Sequence, residues 1–203
     1  MASVLKVDKL DPQSGTALEI GTSGDTITVP SGATFTVSGT ATGNLGITNA
    51  EQWHSTSNIT ISSADTMTLI TPFSRYTSRG ATSIGTNISS SSGIFSFGIT
   101  GIYNVRFQVY IMRLNHLVQY AGPAIHYATD GATYEVVSRS YCNLQDVTNA
   151  HSVAFCETII DVDSTSNCKL KMMCETSDAG GVQIQSNADE TRTGIVFTRL
   201  GDT

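Results

Sequence analysis

The sequence predicts an all-β protein, with a jelly-roll sandwich head preceded by a short β-repeat stem. Two observations predict this fold class. Only 14% of the 203 residues are charged, which is well below the usual quarter, and Ser and Thr make up roughly a quarter of the chain instead. In addition, many short segments alternate Val, Ile, Phe, Tyr or Thr with polar residues, a pattern typical of strands.

The N-terminal region repeats one phrase three times. SGTALEIG (14–21), SGDTITVP (23–30) and SGATFTVS (31–38) each contain Ser-Gly, two further residues, and then two apolar residues separated by one other. Each repeat predicts a very short half-buried strand after a Ser-Gly turn. One chain cannot cover the apolar sides of such strands, but three chains can, so the pattern predicts a trimeric stem. A disordered leader is the alternative. The stem residues are Leu18, Ile20, Ile27, Val29, Phe35 and Val37.

The region after residue 50 is denser in predicted strands, which divides the chain into a leader and stem (1–50) and a head (51–203). The clearest strand is ITGIYNVRFQVYIMR (99–113), preceded by GIFSFG. Later strands are predicted in TYEVVSRSYC, SVAFCETIIDV, CKLKMMCE, GVQIQS and TGIVFTRLG, separated by turn clusters such as ATDGA and SDAGG. Short strands at this spacing indicate a sandwich or jelly roll.

The segment TIIDVDSTSNCKLKM predicts a hairpin of two antiparallel strands with apolar inward faces. One face carries Thr158, Ile160 and Val162, and the other carries Cys168, Leu170, Met172 and Cys174. With Cys142 and Cys156 the chain has four cysteines and no CxxC pair. We therefore expect free thiols that act as small core residues, and no zinc site.

Charge and hydropathy restrict the partners. A net charge of -6 with 11 Lys plus Arg argues against nucleic-acid binding, which needs clustered cations. No apolar run approaches a membrane span, so no membrane insertion is expected. The N-terminus has no signal-peptide stretch, and we therefore expect the protein to be made and folded in a cytoplasm.

No catalytic constellation is found, so the sequence predicts a protein that is not an enzyme and that needs no cofactor or metal. Hydrolase, metalloprotease, phosphate-loop and dinucleotide motifs are absent. His126 and Asp130 lie close in sequence, but a His/Asp pair near a turn is common by chance. Asp161, Asp163 and Asn167 have calcium-type oxygens, although the same residue types build turns unaided, which we favour.

Tyrosines near the centre of the head are the best candidates for binding. Tyr offers a flat apolar face and a hydroxyl group, which suit sugars or proteins. The receptor-contact candidates are Tyr120, Tyr127, Asp130 and Tyr134, in a region that the sequence presents as loop-rich. The alternative is that most of these tyrosines belong to the core or to a subunit interface. Tyr110 and Arg106 share the outward face of their strand, and we expect them to meet a neighbouring subunit.

The segment SSSGIFSFGITGIYNVRFQVYI resembles the signature of the trimeric jelly-roll heads of the complement and tumour-necrosis-factor-like superfamily. The residues that carry the resemblance are Phe95, Phe97, Gly101, Tyr103 and Phe107, with Phe197 as the core aromatic of a terminal strand. The resemblance covers about residues 53 to 203, and it implies a compact homotrimer.

The N-terminal stretch, from MASVLKVDKL through the octets to SGTATG, resembles the leader of structural proteins of tailed bacteriophages, especially those of marine hosts. The resemblance implies a virion location, with a tail adaptor or tube protein or the major capsid protein as partner and a host-surface glycan or protein as receptor. The predicted function is a homotrimeric short tail fibre or spike. A capsid decoration protein at a threefold position and a complement-like secreted lectin are the alternatives.

Overall fold

The computed structural model describes residues 20, 22, 24, 26–36, 47–114, 117–187 and 189–203. The chain divides into two units, Met1–Gly43 and Asn44–Thr203. All thirteen strands of the described residues lie in the second unit, and these residues contain no helix. The all-β prediction is therefore confirmed. In this described part of the chain no helix is long and apolar enough to cross a membrane.

Most of the strands are short, and β7 and β10 are the longest. In chain order they are β1 (Ala50–Ser55), β2 (Ile59–Thr60), β3 (Thr68–Leu69), β4 (Phe73–Arg75), β5 (Ile88–Ser91), β6 (Ile94–Phe97), β7 (Gly101–Arg113), β8 (Ala121–Ala128), β9 (Glu135–Arg139), β10 (His151–Val162), β11 (Lys169–Thr176), β12 (Val182–Ile184) and β13 (Gly194–Gly201).

The strands form two antiparallel sheets that enclose one core. In sheet A, β7 pairs with β10 on one side and with β13 and β12 on the other, and β1, β2 and β4 continue the sheet beyond them. In sheet B the order is β5, β6, β11, β8 and β9, with β3 also paired to β11. The strands β7, β10 and β11 turn alternate side chains into the core, as sandwich packing requires.

The long strand predicted over 99–113 is confirmed as β7, and its alternation is as expected. Tyr103, Val105, Phe107 and the following odd-numbered residues are fully buried, whereas the even-numbered ones are exposed or half-buried. The aromatic residues of the resemblance meet in the core. Phe95 lies 5.4 Å from Phe197 between ring centroids, and Phe97 lies 4.8 Å from Tyr103.

Gly101 has a steric reason to be glycine. Its φ is +142°, and a Cβ at this position would lie 2.5 Å from both Arg199 Nε and the Gly201 carbonyl oxygen. Arg199 is almost fully buried, and its Nε donates to the Thr100 carbonyl. Gly101, the glycine of the Gly-x-Tyr pattern at the start of β7, therefore makes room for the buried side chain of Arg199 on β13.

The predicted hairpin over residues 158–174 is wrong in its pairing. The faces are as expected, since Ile160 and Val162 are buried on β10 and Leu170 and Met172 on β11. However, β10 pairs with β7 in sheet A, and β11 pairs with β8 in sheet B. The intervening turn is a corner between the two sheets. Two consecutive strands with apolar inward faces can bury them side by side or across a sandwich, and alternation alone does not distinguish these arrangements.

The centre of the head, expected to be loop-rich, contains β8. This strand lies between β11 and β9 in sheet B. Gly122 and Pro123 lower the strand propensity of the segment, because proline has no amide to donate and is found mainly at edges. Here the Pro123 carbonyl still accepts the Ser140 amide at 3.1 Å. Tertiary pairing therefore overrides the local signal.

An ion pair between Glu51 on β1 and Arg75 on β4 lies within sheet A, and both side chains also hydrogen-bond to Ile88 of sheet B. The Glu51 carboxylate is fully buried and accepts from Arg75 Nε, Asn49 Nδ2 and the Ile88 amide, each at 2.8 Å. Arg75 also donates to the Ile88 carbonyl. The three donors around the Glu51 carboxylate offset the cost of burying its charge.

The four cysteines are free, as expected. Cys156, Cys168 and Cys174 are buried in the core, and Cys142 is half-buried. Burial raises the pKa of the Cys156 and Cys174 thiols to about 12. These thiols are therefore neutral packing groups.

Candidate interaction surfaces

The described stem residues form an exposed apolar groove in the first unit. Ile20, Ile27, Val29 and Phe35 line an open groove of about 490 Å³, and Ile27 and Phe35 are 66% and 72% exposed. Leu18 and Val37 lie outside the described residues. Four large apolar side chains on one surface have no core of their own to enter.

The short strands predicted in the octets are not found in residues 26–36. The turn between the second and third octets is present, since the Ala33 amide donates to the Pro30 carbonyl at 3.0 Å. A strand is defined by a hydrogen-bonded neighbour, and a single chain offers none to so short a segment.

A second apolar surface covers the outward side of sheet A. We call it the apolar face, and it consists of Val153, Phe155, Ile159, Val196 and Leu200. Each of these side chains is between 40% and 65% exposed. Register places them together: Phe155 is opposite Gln108, Ile159 is opposite Asn104, and Val196 is opposite Arg106. Ile159 and Leu200 also border the same depression of about 460 Å³.

Arg106 and Tyr110 lie on the apolar face, as their alternation predicted. The Arg106 guanidinium stacks 4.6 Å from the Phe155 ring centroid. Tyr110 is flanked by His151, with 5.2 Å between ring centroids. Glu157 accepts from Asn104 Nδ2 at 2.7 Å. The exposed apolar side chains of this surface therefore alternate with the polar side chains of Asn104, Arg106, Gln108 and Glu157.

The edge of sheet A beside this face is protected. Within the described residues β10 pairs only with β7, so the backbone groups on its other side have no strand as a partner. Ser138 Oγ donates to the Glu157 carbonyl at 2.9 Å, and Ser140 Oγ donates to the Phe155 carbonyl at 2.5 Å. These hydroxyls occupy carbonyls that another strand would use, so association through this edge is discouraged.

The four predicted receptor-contact residues do not form one site. Tyr120 precedes β8 and Tyr127 lies near its end. At the usual rise per residue of a strand, their Cα atoms are roughly 23 Å apart. Tyr127 packs partly against the core, and its hydroxyl donates to the Asp161 carbonyl at 2.5 Å. Burial is the main cause that raises the pKa of Tyr127. The Tyr127 hydroxyl therefore ties the end of β8 to the end of β10, and its receptor-contact role stays a prediction.

Asp130 stabilises its own turn. Its Oδ1 accepts the amides of Ala132 at 2.9 Å and Thr133 at 2.7 Å. These amides hold the pKa of the Asp130 carboxyl down at about 2. These hydrogen bonds are those of an Asx turn, and the receptor-contact role of Asp130 stays a prediction.

Tyr120 pairs with Tyr141, which the sequence reasoning left out of the contact set. Their ring centroids are 4.7 Å apart in an edge-on arrangement. Tyr120 donates to Asp65 Oδ1 at 2.5 Å, and Tyr141 donates to Glu175 Oε2 at 2.6 Å. The bond to Asp65 is the main cause that raises the pKa of Tyr120 to about 12. Both hydroxyls remain protonated donors at neutral pH. Tyr134 lies elsewhere, with Lys171 Nζ 3.7 Å from its ring centroid.

The acidic turn after β10 shows turn chemistry. Asp163 Oδ1 accepts from the Cys168 thiol at 3.3 Å, and Ser164 Oγ accepts the Asn167 amide at 3.3 Å. Among the described residues no group of three or more His, Cys, Asp or Glu side chains has the arrangement of a metal site. Asp163 and Asn167 therefore help to close the corner between the sheets.

No protein-family model and no curated protein matches the sequence. Among solved structures, the chain is similar to murine APRIL at pH 8.5 and pH 5.0, with TM-scores of 0.52 and 0.54 and identities of 11% and 12%. Each match covers 75% of this chain and 98% of that chain. Eiger TNF from S. frugiperda aligns over 76% of this chain and 93% of that chain, with a TM-score of 0.47 and 12% identity. At the identities of the APRIL structures the similarity concerns the fold, and the described head has a TNF-like jelly-roll fold.

Proposed function

We propose that this chain is a non-enzymatic structural protein of a bacteriophage virion, a homotrimeric short tail fibre or spike whose head binds the host surface. The observation that carries the homotrimeric assembly is the apolar face of sheet A. Five large apolar side chains cluster there without a covering element among the described residues. Other copies of the same chain are always present with it, and they are therefore the expected partner of this face.

The apolar face is large enough to contribute to assembly. Full burial of such a side chain is worth roughly 1.5–3 kcal/mol, and about half of each remains exposed, so each contributes roughly 1 kcal/mol on association. The five together supply about 5 kcal/mol per chain before the cost of association. The blocked edge of β10 favours contact through the face of the sheet.

Two independent features support threefold symmetry. The head resembles superfamily heads for which a compact homotrimer is expected. The first unit presents Ile20, Ile27, Val29 and Phe35 to solvent, as expected for a stem that one chain cannot bury alone. Both surfaces would be covered by the same assembly.

The virion assignment rests on the leader and its repeated octets, which resemble the attachment regions of phage structural proteins. A capsid decoration protein anchored at a threefold position has the same requirements and is the second candidate. The secreted lectin is the third candidate, and the repeated octets give it no support. Locating the protein on the particle separates the first two. Density on the tail excludes the capsid version, and density at capsomer threefolds excludes the tail version.

Sedimentation velocity of the full chain at micromolar concentration tests the assembly. We expect a trimer of 21.5 kDa chains. A stable monomer would refute the proposal.

The stem is tested by particle incorporation. Replacing Ile27 and Phe35 together with Asp should detach the protein from particles and leave the head folded, because charges would enter the apolar groove. The matched control replaces Thr28 and Thr36, which belong to the same octets and do not line the groove, with Asp. Equal incorporation of both variants would show that the groove is not the attachment stem.

A further inference from the structure

The cations of the head are distributed unevenly. Nine Lys and Arg side chains belong to the described residues. Arg75, Arg79, Arg113, Arg192 and Arg199 each form an ion pair with a carboxylate. Within that part of the chain, the other four form none, and they are Arg106, Arg139, Lys169 and Lys171. Three of these four, Arg139, Lys169 and Lys171, lie on sheet B.

These three cations occupy one surface, the outward side of sheet B, which we call the basic face. On β11 the core takes Leu170, Met172 and Cys174, so Lys169 and Lys171 point outward. Register places Arg139 in one row with Ala124 and Met173. At ideal β-sheet spacings, the Cα atoms of Lys169 and Lys171 are about 7 Å apart, and those of Lys171 and Arg139 are about 12 Å apart.

Two tyrosines stand among these cations. Lys171 Nζ lies 3.7 Å from the Tyr134 ring centroid, and the Arg139 guanidinium lies 5.9 Å from the Tyr141 ring centroid. The strand between β9 and β11 is β8, whose outward residues Gly122, Ala124 and Ala128 are small and buried beneath their neighbours, with His126 half-buried in the same row. Cationic groups beside aromatic rings suit a ligand that has both anionic groups and a flat apolar side.

The carboxylates of this region are mostly engaged. Glu175 accepts the Tyr141 hydroxyl, and Asp130 accepts two amides of its own turn. Glu135, at the rim, raises the pKa of His126, but burial and Lys171 outweigh it and the pKa is lowered. These carboxylates stay charged, but among the described residues none of them forms an ion pair with Lys169, Lys171 or Arg139. Lys169 Nζ donates to the neutral Thr165 carbonyl at 3.0 Å, so the charges of the three cations remain available to an anionic ligand.

We propose that the basic face binds an anionic polysaccharide, with Lys169, Lys171 and Arg139 contacting its carboxylate or sulfate groups and Tyr134 and Tyr141 contacting its sugar rings. This rests on the proposed function in taking the head as the host-binding part. The basic face is on the opposite side of the sandwich from the apolar face, so covering one leaves the other accessible. Repetition of the site in an oligomer increases the apparent affinity.

The test measures binding of the full chain to immobilised dextran sulfate, polygalacturonate and neutral dextran at low salt. Binding to either or both anionic polymers, weakened as salt rises, and not to neutral dextran is the expected result. Sulfate-only and carboxylate-only binding both support the site and identify the anion. Equal binding to neutral dextran, or no binding to either anionic polymer, overturns the proposal. Equally tight binding to single-stranded DNA overturns the polysaccharide assignment.

A charge-matched pair of variants locates the site. Lys169→Gln with Lys171→Gln should weaken binding by at least about tenfold through loss of two charged contacts. Arg79→Gln with Arg192→Gln removes the same charge elsewhere and should leave binding within about twofold. Equal losses would refute the location. Sedimentation of the same samples separates the two proposals: an intact oligomer that does not bind refutes this inference alone, whereas a monomer that binds refutes the trimer alone.

Discussion

Ile159→Asp is the substitution that tests the apolar face most directly. Ile159 is 65% exposed on β10 and contributes to the depression it shares with Leu200. Its backbone pairs with Asn104, and this pairing does not depend on the side chain. The variant should therefore fold as a head while losing an apolar contact in every copy.

The magnitude follows from the exposed fraction. Full burial of an isoleucine side chain is worth roughly 1.5–3 kcal/mol, so two thirds of it is worth roughly 1–2 kcal/mol per chain and roughly 3–6 kcal/mol per trimer. That range corresponds to a loss of about two to four powers of ten in the trimerisation constant. Burial of the new carboxylate adds to the loss.

Sedimentation velocity over a concentration series provides the assay, and circular dichroism verifies that the sheets remain. Val147→Asp is the control, since Val147 is also largely exposed but lies in the turn region before β10. We expect Ile159→Asp to be monomeric where Val147→Asp and the parent protein are trimeric. An unchanged trimerisation constant for Ile159→Asp would refute the assignment of this face as the subunit interface.

Three further predictions concern the head itself. Glu51→Gln should lower the free energy of unfolding by roughly 2–4 kcal/mol in urea denaturation, because it leaves the partly exposed Arg75 unpaired. The control, Glu190→Gln, removes an exposed ion pair and should lower the free energy of unfolding by less than about 1 kcal/mol. Equal effects of the two substitutions would contradict the ion-pair argument. Native Cys156 and Cys174 should not react with a thiol reagent until the protein unfolds, when all four thiols should react. Because their folded pKa is about 12 and the unfolded value is 9.0, stability should fall as pH rises from 9 towards 12, and a flat profile there would be inconsistent with buried thiols. The amide resonances of the Asp130 turn should titrate with a midpoint near pH 2. The contribution of the turn to stability should be present above pH 3.8 and should be lost as the pH falls towards 2. A midpoint near 4 would show that the amides do not stabilise the carboxylate.

Much of the fold was predictable because alternation reports directly on burial. On β7, each odd residue from Tyr103 to Ile111 is apolar and fully buried, so the sequence pattern and the core face coincide. Strand β8 was missed because Gly122 and Pro123 disrupt that pattern, and its place between β11 and β9 depends on partners distant in sequence.

The candidate site was less predictable, because it depends on which outward side chains share a face. Tyr120 and Tyr134 are single letters in a tyrosine-rich stretch. Only pairing reveals that the first contacts Tyr141 and the second contacts Lys171. The apolar face was likewise signalled in part, through the apolar Val153, Phe155 and Ile159 on the outward side of β10, but alternation gives no reason to group them with Val196 and Leu200.

By itself, the sequence determined the all-β class, the inward face of each long strand and the expectation of free core thiols, since these follow from local periodicity and residue type. The tertiary structure decided that β10 and β11 belong to different sheets, that five apolar side chains gather on one outward face, and that three unpaired cations gather on the other. The physical reason is that hydrogen-bonded register between strands distant in sequence sets lateral neighbours, and no local pattern encodes that register.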